Sequence, residues 1–228
     1  MGQLRESKKR ETRQRISDTA TALFFARGFE AVTVDEIASA AKVSKMTVFN
    51  YFARKEELVL DREDDLRLLP FRLVLRTRPE GQAPVDALRT LVRQLSNEKH
   101  PLCYISSMAV DWWRVVHASQ SLKARLRELA DEASDLLSIE LAGPEPGGVS
   151  RLAAGMIVLA VRTAREEAVR LLESGASAKR ANAAFLALME QGLSAVEQLP
   201  PPSTARPLLR PTRPLKPTRL SGPSDTAL

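Results

Sequence analysis

Residues 33–51, with the sequence TVDEIASAAKVSKMTVFNY, hold the pattern that decides the fold of this chain. In the first half, apolar residues recur at helical spacing, and Thr33 followed by Glu36 forms a capping box at the helix start. After a tight turn, Ser44 can cap a second short helix that runs from Lys45 to Tyr51. Two short helices joined in this way form a helix-turn-helix, and the second helix has the size needed to enter the major groove of DNA.

The second short helix carries side chains suited to DNA on the face away from Val48. The side chains expected to contact bases are Lys45, Met46, Thr47 and Asn50. Those expected to contact phosphates are Thr33, Ser44, Lys45, Tyr51 and Lys55, together with a basic N-terminal arm. The alternative interpretation is a helical hairpin inside an all-α core, with a solvated polar face.

A longer ordered pattern surrounds this stretch. It consists of Ala22-Leu23-Phe24, Gly28-Phe29, Thr33-Val34, Ile37-Ala38, Ala41, Val43-Ser44, Thr47, Phe49, Tyr51-Phe52 and Lys55-Glu56-Glu57-Leu58. With this pattern, residues 16–58 resemble the DNA-binding domain of the tetracycline-repressor-like (TetR) family of bacterial transcription regulators. The resemblance implies an all-α protein with an N-terminal three-helix DNA-binding domain and a C-terminal helical domain for ligand binding and dimerisation.

Three positions depart from the family pattern. Lys42 stands where the family usually has Gly, so a residue with a Cβ is expected to adopt positive φ in the turn. Met46 replaces a small residue early in the second short helix, where it could touch a thymine methyl group or pack inward. Arg54 replaces a common Ser cap before Lys55. Because Lys42 and Met46 differ from the family, relatives do not predict the operator sequence.

Composition and charge narrow the class of protein. The chain has 228 residues, 44% of them hydrophobic, and no apolar run near the ~20 residues that cross a bilayer. The single cysteine, Cys103, cannot form an internal disulfide and is typical of a reducing cytosol, so we expect a cytoplasmic protein that does not enter the membrane. The net charge of +6 is concentrated at the two ends of the chain, where basic residues can bind DNA phosphates.

Helical periodicity and breaks predict four segments. They are a basic arm at 1–8, the helix-turn-helix domain at 9–60, a helical regulatory and dimerisation domain at 61–199, and a disordered, Pro-rich basic tail at 200–228. The tail holds eight of the fourteen prolines. Helices are expected at 7–27 and 55–77, with Pro70 kinking or splitting the second. Further helices are expected near 84–95, 102–116, 119–141, 149–173 and 178–198.

Nothing in residues 60–199 suggests catalysis. The two histidines, His100 and His117, lack metal-ligand spacing, and no phosphate-binding or nucleophile motif occurs. We therefore expect no enzymatic activity, no catalytic residue, no metal and no cofactor.

The last two helices are the predicted homodimer interface, because small and apolar residues share one face of each helix. The interface candidates are Met156, Leu159, Ala160, Thr163, Ala184, Phe185 and Leu188. The alternative is that these faces are buried within one subunit. The family resemblance favours a dimer. A single short helix reads few base pairs, whereas a two-fold dimer can read a palindromic operator, which also favours a dimer.

The resemblance also implies a pocket for a small-molecule effector between the DNA-binding domain and the dimer interface. Its candidate lining is Tyr104, Met108, Trp112 and Trp113, and the alternative is that these residues all belong to the core. Because Trp112 and Trp113 are adjacent, at most one is expected to line the same cavity as Met108 and Tyr104. The segment 121–126, SLKARL, resembles relatives proposed to sense acyl-CoA-like molecules.

These observations predict a dimeric regulator that binds double-stranded DNA at a palindromic operator, acts as a repressor and releases DNA when an effector binds. One alternative is a constitutive or architectural DNA-binding protein without ligand sensing. Another is a helical enzyme or ligand carrier whose helix-turn-helix is incidental.

Overall fold

A computed structural model describes residues 2–60 and 62–200, without the side chains of residues 2–5, 63 and 108. The helices are α1 (Gly2–Arg27), α2 (Val34–Ala40), α3 (Lys45–Tyr51), a 3-10 helix (Lys55–Leu58), α4 (Glu63–Leu66), α5 (Leu69–Thr77), α6 (Pro84–Asn97), α7 (Ser107–Ala118), α8 (Gln120–Ala142), α9 (Gly148–Glu173) and α10 (Ala178–Glu197). No strand occurs in these ranges, which confirms the all-α prediction. The predicted disordered tail, apart from Pro200, lies outside the described residues.

The head is formed by α1, α2, α3 and the 3-10 helix. Gly28 ends α1 at φ +80°, and its amide donates to the Phe24 carbonyl at 2.8 Å, as expected for a glycine that follows a helix. Ile16, Phe24, Ile37 and Val48 are almost fully buried and pack into one core. The helix-turn-helix is thus fixed on α1 by apolar contacts.

The basic segment predicted as an arm is helical from Gly2 onward and continues α1. Residues 2–8 contain no proline, and their polar and charged side chains are compatible with a helix. The side chains of residues 6–8 are exposed. Their charge is therefore presented from an ordered helix in the described part of the chain.

The helix predicted over residues 55–77 is divided into three pieces. The split expected from Pro70 is confirmed, because a new helix begins at Leu69. The expectation of a continuous helix before Pro70 was wrong, because the chain also breaks before Glu63. A 3-10 turn, α4 and α5 replace the predicted helix, and Leu68 before α5 has φ +54°. Pro70 lies in the first turn of α5, where its missing amide donor costs no hydrogen bond. The chain therefore turns sharply at Leu68, between α4 and α5.

The body consists of α4 to α10. The most extensive helix pair is α9 with α10, and α8 lies against α9 on the other side. α10 also contacts α6, and α5 contacts both α6 and α8. Helices in the described ranges are all too short or too polar to cross a membrane. Leu152 and Leu159 of α9 are each at least half exposed, so the side of the α9–α10 pair that carries them is uncovered.

Candidate nucleic-acid interface and effector cavity

The outer face of α3 is the candidate surface for reading bases. Val48 and Phe52 are each 1% exposed and hold α3 on the core. On the opposite side Met46 is 68% exposed, and Lys45 and Asn50 are also exposed. Phe49, which was not among the predicted site residues, is 42% exposed beside them. An exposed Met and Phe on one short helix can contact thymine methyl groups or sugars.

Local hydrogen bonds fix the starts of both short helices. The Thr33 amide donates to Glu36 Oε2 at 2.7 Å, and the Glu36 amide donates to Thr33 Oγ1 at 3.2 Å, so the capping box is confirmed. The pKa of Glu36 is lowered to about 2, chiefly by the hydrogen bond from the Thr33 amide and next by the hydrogen bond from Arg27. The Ser44 hydroxyl accepts from the Thr47 amide at 3.0 Å. Free amides at a helix start can bind a phosphate, and the phosphate contact expected at Ser44 stays a prediction.

Lys45 is paired before any DNA is bound. Its ammonium lies 2.7 Å from Asp35 Oδ2, and both side chains are more than half exposed. An exposed pair of this kind contributes only about 0–1 kcal/mol, so a phosphate or base can replace Asp35 at small cost. Tyr51 is half-buried at the end of α3, and Thr33 is exposed at the start of α2. Their phosphate contacts stay predictions.

Lys55 does not present its ammonium group outward. Nζ donates to the Phe29 carbonyl at 2.6 Å and lies 4.2 Å from the centre of the Phe29 ring. Burial lowers the pKa of Lys55, with opposing contributions from Glu30 and other acids. We therefore assign Lys55 to the packing of the head, and revise the prediction that its ammonium binds phosphate.

Lys42 has φ +56°, as its place in the turn predicted. The turn is closed by the Val43 amide, which donates to the Ala38 carbonyl at 2.9 Å. Left-handed backbone is unfavourable for a residue with a Cβ, and Lys42 adopts it at an exposed position.

A Lys42→Gly variant should therefore be more stable to urea by about 0.5–1 kcal/mol, because glycine accepts positive φ without strain. The matched control is Lys42→Gln, which removes the same charge but keeps the Cβ and therefore the strain, so its stability should stay close to that of wild type. Equal stability of Lys42→Gly and wild type at fixed protein concentration would contradict the strain at this turn.

A cavity of about 520 Å³ lies in the body next to the head. Its wall includes Tyr104, Trp112 and Trp113. The two tryptophan rings meet edge to face, with their centres 4.7 Å apart. The expectation that at most one tryptophan lines this cavity was wrong, because the two rings are perpendicular and both reach it. Met108 lies in α7, but its side chain is outside the described part. The volume is in the range of small-molecule sites.

Trp112 connects this cavity to the head. Its indole Nε1 donates to the Val59 carbonyl at 3.0 Å, and Val59 and Leu60 line the same cavity. These two residues directly follow the 3-10 helix of the head. Trp112 therefore joins the cavity to the backbone that directly follows the head.

Buried Asn182 holds another wall of the cavity, and the sequence gave no reason to single it out. Its side chain accepts from the Ile105 amide at 2.8 Å and donates to the Ile105 carbonyl at 2.9 Å. It also donates to the Ala178 carbonyl at 2.8 Å. The loop that precedes α7 is thereby tied to α10.

The segment 121–126, predicted to mark an acyl-CoA-like effector, forms the start of α8 at the junction with the head. Ser119 and Ser121 donate to Glu30 Oε1 at 2.6 and 3.1 Å. Leu122 is fully buried, and Arg125 is 8% exposed and paired with Glu128 and Glu132. These contacts account for the segment as part of the head–body junction, and the acyl-CoA-like effector stays a prediction.

The uncovered side of the α9–α10 pair carries most of the predicted dimer residues. Leu159 is 50% exposed, and a shallow groove is lined by Met156, Leu159, Ala160, Thr163, Leu188, Gln191 and Gly192. Ala184 is half-buried, whereas Phe185 is fully buried in the subunit core and cannot contact a partner, so it is removed from the interface. An added Cβ at Gly192 would overlap Ala160, so the two helices touch closely here.

Comparison with known proteins begins at the head. Residues 16–61 match the family model described as bacterial regulatory proteins, tetR family. The chain is 39% identical to the HTH-type transcriptional regulator TcmR of Streptomyces glaucescens over 85 residues, which cover 37% of each protein. It is 27% identical to the HTH-type transcriptional activator FasR of Mycolicibacterium smegmatis over 162 residues, which cover 68% of this chain and 71% of FasR.

Solved structures share the fold over most of the chain. The SmeT–triclosan complex has a TM-score of 0.54 at 21% identity and covers 81% of this chain and 91% of SmeT. Native NalD, the secondary repressor of the MexAB-OprM multidrug efflux pump in Pseudomonas aeruginosa, also has a TM-score of 0.54, at 18% identity, and covers 81% of this chain and 97% of NalD. Within the described residues, no group of three or more His, Cys, Asp or Glu could hold a metal ion.

Proposed function

The chain belongs to the TetR family of bacterial regulatory proteins, and on that premise we propose that it is a homodimeric, ligand-responsive repressor of a palindromic DNA operator. The observation that carries this proposal is the outer face of α3. Met46 and Asn50 project from a short helix whose other side is anchored by buried Val48. A helix exposed in this way can enter the major groove and bring these side chains to base edges.

Homodimerisation would place two such helices on one operator. The α9–α10 face supports homodimerisation. The groove in this face is mostly apolar, and Leu152 and Leu159 of α9 are each at least half exposed. Helix pairs from two subunits would bury this surface in a four-helix bundle. The two copies of α3 would then read half-sites related by the two-fold axis.

Effector binding would act through the contact between Trp112 and Val59. An effector in the cavity beside Trp112 that prefers one position of α7 changes the position of the head, because the Val59 carbonyl follows the indole. DNA affinity falls if the operator and the effector prefer different positions. A constitutive DNA-binding protein would lack this dependence.

Selection of bound duplexes from a random library, at near-physiological salt, tests the proposal. The expected result is a palindrome with half-sites one helical turn, or a multiple of it, apart. Binding without sequence preference that falls steeply with salt would instead support an architectural protein. Placing the selected sequence in a promoter then gives the sign of regulation, with lower transcription expected when the protein is present.

An Asn50→Ala variant should lose its preference at one base position in each half-site. Loss of one good base contact costs about 1–3 kcal/mol of discrimination at that position. Asn97→Ala, an equal change at an exposed position in α6, is the control and should leave the selected sequence unchanged. An unchanged preference in Asn50→Ala would remove Asn50 from the residues that read bases.

A further inference from the structure

Arg165 of α9 lies where two cavities of the body meet. One is the 520 Å³ cavity beside Trp112, and the other, of about 230 Å³, lies between α8 and α9. Leu66, Trp113 and Arg165 line both. Arg165 is half-buried as a residue, and its Cζ lies 5.5 Å from the centre of the Trp113 ring. A molecule in either cavity would therefore meet this cation.

Arg165 has no carboxylate partner within 4 Å in the described part of the chain, and the neighbouring acids are paired with other residues. Asp65 lies 2.6 Å from Arg62, and Glu166 lies 3.7 Å from Arg162. Burial raises the pKa of the adjacent Cys103 thiol to about 12, so near neutral pH the thiol is uncharged and cannot neutralise Arg165. Burial is also the main cause that lowers the pKa of Arg165 itself.

An arginine is protonated under all ordinary conditions, so the site keeps a positive charge with little water around it. The rest of the lining is mostly apolar or basic. Among the described residues the larger cavity adds Arg62 and Lys99, and the smaller adds Lys123, Arg127 and Arg162. Asp65 lines the larger cavity and Glu166 lines the smaller one, but each is paired with its own arginine, so Arg165 is left for the anion of a ligand. The apolar walls, including two tryptophan rings, suit the rest of that ligand.

We propose that the effector is a hydrophobic acid, with an apolar body against Trp112 and Trp113 and one carboxylate paired with Arg165. This inference rests on the proposed effector-binding function and specifies the chemistry of that site. The planar guanidinium can donate two parallel hydrogen bonds to a carboxylate, an arrangement that a neutral amide or alcohol cannot match. The acid would also remove the cost of keeping Arg165 charged without a partner.

Calorimetric titration of the full chain, without DNA, with 2-naphthoate and 2-naphthamide tests the proposal. The two probes share a shape and differ in charge. Wild type should bind the acid at least about tenfold more tightly than the amide, as expected for a hydrogen-bonded charge in a partly buried site. Arg165→Met should reduce this preference to about twofold or less without weakening amide binding, and Arg165→Lys should restore part of it.

Arg170→Met is the matched control, because Arg170 is exposed on the same helix, pairs with Glu167 and lines neither cavity. It should bind both probes as wild type does. Thermal unfolding without ligand checks the folding of each variant, and Arg165→Met should unfold at or above the wild-type temperature because it loses an unpaired charge.

Three results would overturn the assignment: equal binding of acid and amide by wild type, an unchanged acid preference in Arg165→Met, or no binding of either probe. Since the titration uses no DNA, such a failure leaves the result of the operator selection standing. Acid binding by a chain that selects no DNA would instead overturn the proposed function and leave a hydrophobic-acid carrier.

Discussion

A Leu159→Arg variant is expected to be monomeric and to bind the operator at least about a hundredfold more weakly than wild type. Leu159 is half exposed at the centre of the uncovered α9–α10 face, where a partner subunit would bury it. An arginine there would lose water without gaining a counter-ion. A linked pair of reading helices gains about 10²–10⁴ in affinity over a single one, and the monomer would lose that gain.

Ile139→Arg is the control for this variant. Ile139 is 42% exposed on α8, away from the α9–α10 groove, so the same change should leave the oligomeric state and operator affinity intact. Sedimentation velocity gives the mass, and fluorescence anisotropy with a labelled operator gives the affinity. A Leu159→Arg protein that stays dimeric would move the interface elsewhere, and a monomer with full affinity would contradict two-fold reading of the operator.

An Asn182→Leu variant is expected to lower the free energy of unfolding by about 2–4 kcal/mol, because it leaves buried backbone groups without hydrogen-bond partners. Leucine is similar in size but cannot bond to the Ile105 amide and carbonyl, both of which now pair with Asn182. Asn182 is 6% exposed and Ile105 is 2% exposed, so water does not readily replace the lost bonds.

Urea unfolding at a fixed protein concentration measures this effect, with the midpoint expected to fall at an unchanged slope. Asn97→Leu, at an exposed position in α6, should change the free energy by less than about 0.5 kcal/mol. Asn182→Asp keeps the acceptor for the Ile105 amide but loses both donated bonds, so it should also be strongly destabilised. A loss below about 1 kcal/mol in Asn182→Leu would mean that the loop before α7 finds other partners.

The helix-turn-helix could be predicted from the sequence because its rules are local. A capping box at Thr33, a cap at Ser44 and a glycine at position 28 act within a few residues of where they stand, and each is confirmed. Periodicity also placed α6 to α10 with small errors at most ends. Lys42 departs from the glycine that the family usually has, but the turn still forms and Lys42 adopts the positive φ that the turn needs.

Features that depend on distant partners could not be predicted in this way. Lys55 looked like a phosphate ligand, but its ammonium is held by the carbonyl of Phe29, 26 positions earlier. Asn182 and Arg165 look like ordinary polar residues of amphipathic helices until the fold brings Ile105 and the cavities to them. The sharp turn at Leu68 has no sequence marker other than Pro70, because left-handed backbone is unfavourable for a leucine and this leucine is buried.

Ser119 caps the start of α8 in the body and is also hydrogen-bonded to the head. Its hydroxyl accepts from the Leu122 amide at 3.2 Å, as the cap of α8, and donates to Glu30 of the head at 2.6 Å. That hydrogen bond is the first cause of a lowered pKa at Glu30, so the carboxylate stays ionised near the positive end of the α8 dipole. If the head rotates away, α8 loses both the orientation of its cap and this charge, and its first turn frays. Amide hydrogen exchange at Leu122 and Lys123 would then act as a local gauge of head position, readable without any DNA.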